Sequence, residues 1–420
     1  MPRWYSILTT CGTNRDGMVA SGGLERDGLA YSRLPNHRHF GLWPWRDGDL
    51  AAFRQQLTTG HVRRLDYERK GGQTMTVMRN LSGTCASVLF AVAAMLAGAL
   101  RPAAMAQEEK AVTGFAAVLQ RDITLWSDGT RLSGILLYPK GREGGKKLPA
   151  IVLCNGWGGT KAFLMQTGIA PRFATAGYVV INYDYRGWGD SDSRLVVRDK
   201  VPQPDKDGYV AVKAQAIREL VDPVDQQEDI DAAVSYVYGE PLVDKDRIGI
   251  WGTSFGGGHV IYRAAHDRRI ACVVAQVGSM PDDWAKRFPA GLLGVYKQKS
   301  DRARGVVDPV PQGGGSPGGL RGTPFSERIA VFNPGQYAER VKVPTLLIDA
   351  EKEHYFKIQE NSGRVYEILK QNGVPTEYHV LKGKAHYDVY GGPCLDDVMK
   401  LEIPWFDKHL KGAKREAPVE

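Results

Sequence analysis

The stretch Arg247-Ile248-Gly249-Ile250-Trp251-Gly252-Thr253-Ser254-Phe255-Gly256 decides how the rest of the chain is read. Its first half is a short apolar strand pattern, and residues 255–265 behind it run with helical character. Between them lies G-x-S-x-G, a spacing that lets a serine occupy a sharp strand-to-helix turn. Gly252 and Gly256 let neighbouring backbone approach without a Cβ clash, and a helix start favours developing negative charge. A second match, Gly314-Gly315-Ser316-Pro317-Gly318, has no strand before it. Pro317 also lacks the N–H that an oxyanion would need. Ser254 is therefore the candidate nucleophile.

Outward from the turn, apolar β-rich runs alternate with longer helical patterns. Strands are expected at 123–125, 132–138, 150–154, 178–183, 247–251, 270–277, 345–348 and 377–381. Helices are expected at 223–238, 255–265, 360–371 and 395–410. Ser127-Asp128-Gly129-Thr130 reads as a hairpin turn between the first two strands. This alternation predicts an α/β fold: a mostly parallel central sheet with helices on both faces and antiparallel strands at one edge. Residues 280–340 break the rhythm, because connections usually run about 4–6 residues. They are read as a cap inserted between late strands. Trp284, Phe288, Tyr296 and Phe325 are its candidate pocket or core aromatics.

A serine is a poor nucleophile without a base. His386 follows the last strand across 382–385, read as a short loop, and is the candidate base; His259, on the helix after the turn, is weaker. An imidazole needs a carboxylate to fix its tautomer. Glu353, just beyond strand 345–348, is preferred, with Asp349, still on the strand, as runner-up. His354 beside it reads as structural or pocket-lining. An oxyanion needs two N–H donors. Phe255 supplies one, and Trp157 in the loop Asn155-Gly156-Trp157-Gly158-Gly159 supplies the other. No zinc-ligand spacing and no phosphate-binding G-x-x-x-x-G-K-[ST] loop occurs in the sequence, so the expected chemistry uses no cofactor or metal.

The chain has 420 residues, 43% hydrophobic and 24% charged, which excludes a disordered chain or a coiled coil. Its net charge of +8 is concentrated early: residues 1–106 carry 13 basic and 7 acidic side chains, the remainder 42 and 40. A nucleic-acid surface is therefore not implied. Residues 82–100 form an uncharged apolar run between Arg79 and Ala104-Met105-Ala106, the pattern of a cleaved signal peptide. The expected organisation is an over-extended reading frame at 1–74, with translation starting at Met75 or Met78, or else a disordered leader there, then a signal peptide at 75–106 and a catalytic domain at 107–420. Export to the periplasm or medium follows, with no stable membrane span after cleavage. Cys85 precedes the apolar core and does not fit a lipoprotein site. Cys154 and Cys272 read as buried thiols, and a bridge from Cys394 stays open.

These pieces resemble the α/β-hydrolase superfamily over roughly residues 117–412, and within it the dienelactone-hydrolase-like serine hydrolases and esterases. The resemblance rests on the loop at 155–159, Asp184-Tyr185-Arg186-Gly187-Trp188-Gly189-Asp190-Ser191, the turn at Ser254, residues 344–353 and residues 383–387. Asn155-Gly156 stands where relatives usually carry His-Gly, and Glu353 stands where Asp is usual. Dienelactone hydrolase itself uses cysteine, so Ser254 argues against that activity. The resemblance implies cleavage of a small ester or amide through an acyl-enzyme. Acyl transfer and peptidase activity are alternatives on the same triad, and a non-catalytic binding protein on the same scaffold competes with all of them. The substrate and the oligomeric state are not encoded in these patterns.

Overall fold

The computed structural model describes residues 108–412, apart from 142–144, 288 and 314–315, together with the backbone of short strands between residues 23 and 76. The chain divides into two compact units, Met1–Ala104 and Met105–Glu420. In the first, Gly23–Leu24, Leu29–Ser32 and Gly41–Pro44 pair antiparallel in that order, and Asp66–Glu68 pairs with Thr74–Thr76. Strands this short set up no sustained period in the sequence. The expected signal-peptide core and Cys85 lie outside the described residues.

The second unit opens with β1 (Lys110–Val112), β2 (Phe115–Ser127) and β3 (Thr130–Pro139). Asp128 (φ 45°) and Gly129 (φ 73°) form the two-residue turn between β2 and β3, where two positive φ values match the twist of the flanking strands. There follow β4 (Leu148–Cys154), α1 (Lys161–Gln166), α2 (Ile169–Thr175) and β5 (Val179–Tyr183). Next come β6 (Arg194–Val197), β7 (Ala214–Ile217) and β8 (Leu220–Val221). Then come α3 (Pro223–Gly239), β9 (Val243–Thr253), α4 (Phe255–His266) and β10 (Ile270–Gln276). The long connection holds α5 (Trp284–Arg287), α6 (Pro289–Ala303), β11 (Thr323–Pro324) and α7 (Ser326–Ile329). The chain closes with β12 (Thr345–Lys352), α8 (Ser362–Gln371), β13 (Thr376–Ala385) and α9 (Gly392–Phe406).

A nine-stranded sheet runs in the order β13-β12-β10-β9-β4-β5-β3-β2-β1. From β13 to β5 all neighbours are parallel; β3, β2 and β1 continue antiparallel at one edge. The fold class is the one the sequence predicts. Alternation along each strand divides the core. Val152, Ile250, Val273 and Leu347 meet α3, α4 and α8 on one face, while Ile151, Leu153, Val274 and Leu346 meet α2 and α9 on the other. Each such buried side chain stabilises the fold by about 1.5–3 kcal/mol. The helix α3 starts where Asp222 caps it, its carboxylate accepting from the Val224 and Asp225 amides, with Pro223 in the first turn.

The structure corrects several expectations. Residues 382–385 are not a loop: β13 runs on to Ala385, so His386 follows the strand directly. Helices α1 and α2 and the hairpin β6–β7 were not expected. The hairpin belongs to a second insertion that packs on the first: Leu220 and Val221 pair with Thr323 and Pro324, and Arg198 bridges to Asp308. Phe325 lies in the small cap core with Ile217, Leu220 and Val310, whereas Tyr296 is exposed. Phe288 lies outside the described residues. Cys394 is buried, as are Cys154 and Cys272, and no bridge forms among these three.

One buried acid makes the fold pH-sensitive. Glu402 on α9 is fully buried and accepts a 2.8 Å hydrogen bond from the Trp251 indole. Burial pushes its carboxyl up to about 8. In the unfolded chain the group ionises near its ordinary value, so the stability it contributes is full below that value and is lost as pH rises to about 8. Glu402→Gln removes the titration. Thermal unfolding at pH 5 and pH 8 is expected to show the variant gaining on the wild type as pH rises, by up to about 1.4 kcal/mol per pH unit.

Candidate active site

The turn between β9 and α4 places Ser254 at φ 54° and ψ −122°, a conformation that L side chains rarely adopt. Backbone bonds hold it there: Ser254 N–H donates to Gln276 O at 2.9 Å, and Ser254 O accepts from Gly257 and Ser279. The flanking glycines are required by space. A Cβ on Gly252 would stand 2.2 Å from Gly256 O, and one on Gly256 would stand 2.3 Å from Cys154 O. The hydroxyl is thereby presented at the carboxyl ends of the parallel strands, where open α/β sheets place their sites.

His386 reaches this hydroxyl from the end of β13. Its Nε2 lies 3.1 Å from Ser254 Oγ, and its Nδ1 lies 2.6 Å from Glu353 Oε2. A carboxylate can only accept, so Nδ1 carries the proton, and Nε2 is left to accept from the serine hydroxyl. Glu353 stands one residue past β12. Its other oxygen accepts from the His354 and Tyr355 amides at 2.9 Å each. Burial raises the Glu353 carboxyl, but these hydrogen bonds from His386, Tyr355 and His354 outweigh burial and hold it below the usual range. Asp349 is placed elsewhere. It sits inside β12, bonded to Ser362 Oγ at 3.2 Å and Tyr378 OH at 2.9 Å. Burial pushes it up to about 7. Geometry thus separates the two acids and brings Glu353 to the imidazole.

The loop at 155–159 lies against the turn: a Cβ on Gly156 would stand 2.9 Å from Ser254 Cβ. Trp157 and Phe255 meet edge to face, their ring centroids 5.4 Å apart. The Phe255 N–H belongs to the first turn of α4, where amides have no intrahelical partner. His259 is a core residue. Both ring nitrogens face Gln226 and Gln227, and burial lowers its pKa to about 3, so it stays neutral. Among the described residues, no group of His, Cys, Asp or Glu is arranged to hold a metal ion.

A cavity of about 710 Å³ opens onto Ser254 and His386. The cap supplies Trp284, Leu320, Arg321, Ile329 and Phe332 to its wall. The sequence points to Trp284 but not to Tyr355, Tyr387 and Tyr390, whose rings surround His386. The Tyr355 and Tyr387 rings lie 4.9 and 5.1 Å from the His386 ring, and their hydroxyls bond at 2.7 Å. Tyr390 OH lies 2.7 Å from Thr253 Oγ1, next to the serine. Their signal was visible as the clustering of three tyrosines around the two site segments.

The family model described as X-Pro dipeptidyl-peptidase (S15 family) matches residues 128–301, which include Ser254 and end before Glu353 and His386. The quorum-quenching protein AidA of Acinetobacter baumannii is 39% identical over 295 residues, 62% of this chain and 86% of the relative. The polyketide transferase grgF of a Penicillium species is 26% identical over 67% of this chain and 94% of the relative. The solved α/β hydrolase GrgF from Penicillium sp. sh18 aligns with a TM-score of 0.51 and 20% identity, over 70% of this chain and 99% of that one.

The placement of the two acids yields a direct test on serine reactivity. Glu353→Gln is expected to slow covalent labelling of Ser254 by a fluorophosphonate by roughly 10²–10⁴-fold, from loss of the correct tautomer. Asp349→Asn is expected to change the rate by less than about tenfold, because its partners do not include the imidazole.

Proposed function

The chain belongs to the α/β-hydrolase superfamily, and we propose that within this class of enzymes it is a serine hydrolase that cleaves a carboxylic ester through an acyl-enzyme. The observation that carries the reading is His386 standing between Ser254 Oγ at 3.1 Å and Glu353 Oε2 at 2.6 Å. In this mechanism His386 Nε2 takes the hydroxyl proton as Ser254 Oγ attacks the carbonyl carbon. The amides of Phe255 and Trp157 stabilise the resulting oxyanion. Glu353 stabilises the imidazolium. The leaving alcohol takes the proton from His386, and water then cleaves the acyl-enzyme by the same route.

The cavity supports a small-molecule substrate, since such sites span roughly 300–1,000 Å³. Its walls are mainly aromatic and aliphatic, and the charged side chains lining it are Arg321, Lys357 and Glu360. Lys357 and Glu360 pair with each other at 3.0 Å. An apolar acyl group fits these walls better than the charged amino terminus of a peptide. The name of the Acinetobacter relative makes a cell-to-cell signal carrying such a bond a substrate to try. A second reading, acyl transfer to an alcohol or amine, is favoured by the relative named polyketide transferase. It keeps the same triad and changes only the acceptor.

The expected outcome of fluorophosphonate treatment is one adduct at Ser254, absent in His386→Ala, with short p-nitrophenyl esters turned over by the same protein. Ser254→Ala should lose at least about 10³-fold in kcat. Retained biological activity in that variant would instead mark a non-catalytic binding protein. Product analysis with an added alcohol separates hydrolysis from transfer. We also propose export, on the apolar run at 82–100 and the Ala104-Met105-Ala106 site. Intact mass of natively expressed protein is expected to match a chain beginning at Gln107, and material beginning at Met1 would overturn that.

A further inference from the structure

We propose that Trp157 is a positioning residue for the oxyanion hole and that it works through the cap, by its hydrogen bond to the Arg321 carbonyl. The proposal rests on the reading of Trp157 N–H as an oxyanion donor. The loop Gly156-Trp157-Gly158-Gly159 has one side chain beyond hydrogen. Glycine backbone has the most conformational freedom to lose; Gly159 N–H donating to Gly156 O at 3.1 Å closes the turn, and the one side chain adds the anchor that reaches beyond it.

Its anchors lie outside the loop. The Trp157 indole N–H donates to Arg321 O at 3.1 Å, and its ring packs edge-on against Phe255. Arg321 belongs to the cap, and the cap is fastened at that point. Its guanidinium pairs with Glu219, and the neighbouring amide of Thr323 donates to Glu219 O at 2.8 Å. Trp188 is the post between the two parts. It is buried, and its indole N–H donates to Leu220 O at 2.9 Å. A Cβ on Gly322 would stand 2.6 Å from its ring, and one on Gly158 would stand 3.5 Å from the ring and 3.1 Å from Arg321 O. Cap strand, Trp188 and oxyanion loop are therefore in contact as one stack. A shift of the cap moves the carbonyl that fixes Trp157, and with it the amide that faces the developing charge.

Trp157→Phe tests this, because it keeps an aromatic ring and removes the donor. The measurements are ester turnover, the thermal midpoint, and inhibition by two probes. An alkyl trifluoromethyl ketone forms a tetrahedral adduct with an oxyanion, and the matching alcohol only fills the pocket. The expected result is an unchanged thermal midpoint, kcat lowered about 3- to 10-fold with KM within about twofold, and the ketone Ki raised by the same factor as kcat/KM falls. The alcohol Ki should not move. Glu219→Gln, which loosens the cap at Arg321, should shift the ketone Ki in the same direction by less. Unchanged ketone inhibition in Trp157→Phe overturns the proposal. So does a parallel rise of both Ki values, which would make Trp157 a pocket wall. Ester turnover that persists in Ser254→Ala overturns the catalytic reading itself, whatever Trp157→Phe does.

Discussion

The site depends on one strained turn. Ser254 is held at positive φ by its hydrogen bonds to Gln276, Gly257 and Ser279, and strain of that kind persists only where the surroundings over-determine it. Here they do so by backbone contact. Gly256 faces the Cys154 carbonyl, Gly257 faces Gly278, and Gly258 faces the Ser279 carbonyl, each at a distance that admits no Cβ. The start of α4 is wedged between the ends of β4 and β10. The same wedge sets Phe255 beside Trp157 and brings the 155–159 loop up against the serine. Ser254 and the Phe255 amide therefore share one packing constraint, and the 155–159 loop packs against it.

Around that turn the sequence was legible where burial left no freedom. The strands β4, β5 and β10 and the second half of β9, residues 248–253, are buried on both faces and read as largely apolar runs. Asp128-Gly129 announced the hairpin, and the order of nucleophile, acid and base confined the search to a few residues. The misses occur where burial is weak. The strand β13 lies at the sheet edge, and near its end Lys382 and Gly383 are exposed and Lys384 half-buried, so nothing in their pattern distinguishes strand from loop. Helices α1 and α2 are short and divided at Gly168, which stands at φ 80°, so no helical period develops. The hairpin β6–β7 lies in an insertion with few buried apolar residues, Ile217 and Leu220 among them, too few to set up a strand period. Glu353 and Asp349 could be ranked but not separated from sequence, because the strand's extension over residues 349–352 decides which carboxylate clears the sheet.

That separation has an electrostatic basis. Asp349 and Glu353 both belong to the end of β12, yet burial raises one and hydrogen bonding lowers the other. Glu353 receives two backbone amides and the imidazole, so it can stay ionised while nearly inaccessible. Asp349 receives the hydroxyls of Ser362 and Tyr378 and a backbone hydrogen bond from Gly278, which do not offset its burial, and the negative Glu353 nearby adds to its cost of ionisation. A buried pair of like charges is avoided by making one of them readily protonated, which leaves the field at His386 to Glu353 alone.

The cap is fixed by a different kind of force from the sheet beneath it. Its apolar core is the small cluster of Ile217, Leu220, Val310 and Phe325, against two extensive clusters on the sheet. Polar contacts help to locate it, beside the packing of Phe332 on Phe255 and Tyr262: Arg328 bridges Asp222 and Asp225 at 2.6 and 3.0 Å and Arg194 meets Asp225, while Arg302 meets Glu327 at 2.9 Å within the cap. Buried ion pairs add little net stability because desolvation offsets their attraction, but they have definite geometry and are costly to break singly. Asp222 caps α3 as well as pairing with Arg328, so a single carboxylate ties the cap to a helix packed on the sheet. A cap fastened this way has a defined position without a large buried area, and it is the position, through the Arg321 carbonyl and Trp157, that reaches the serine.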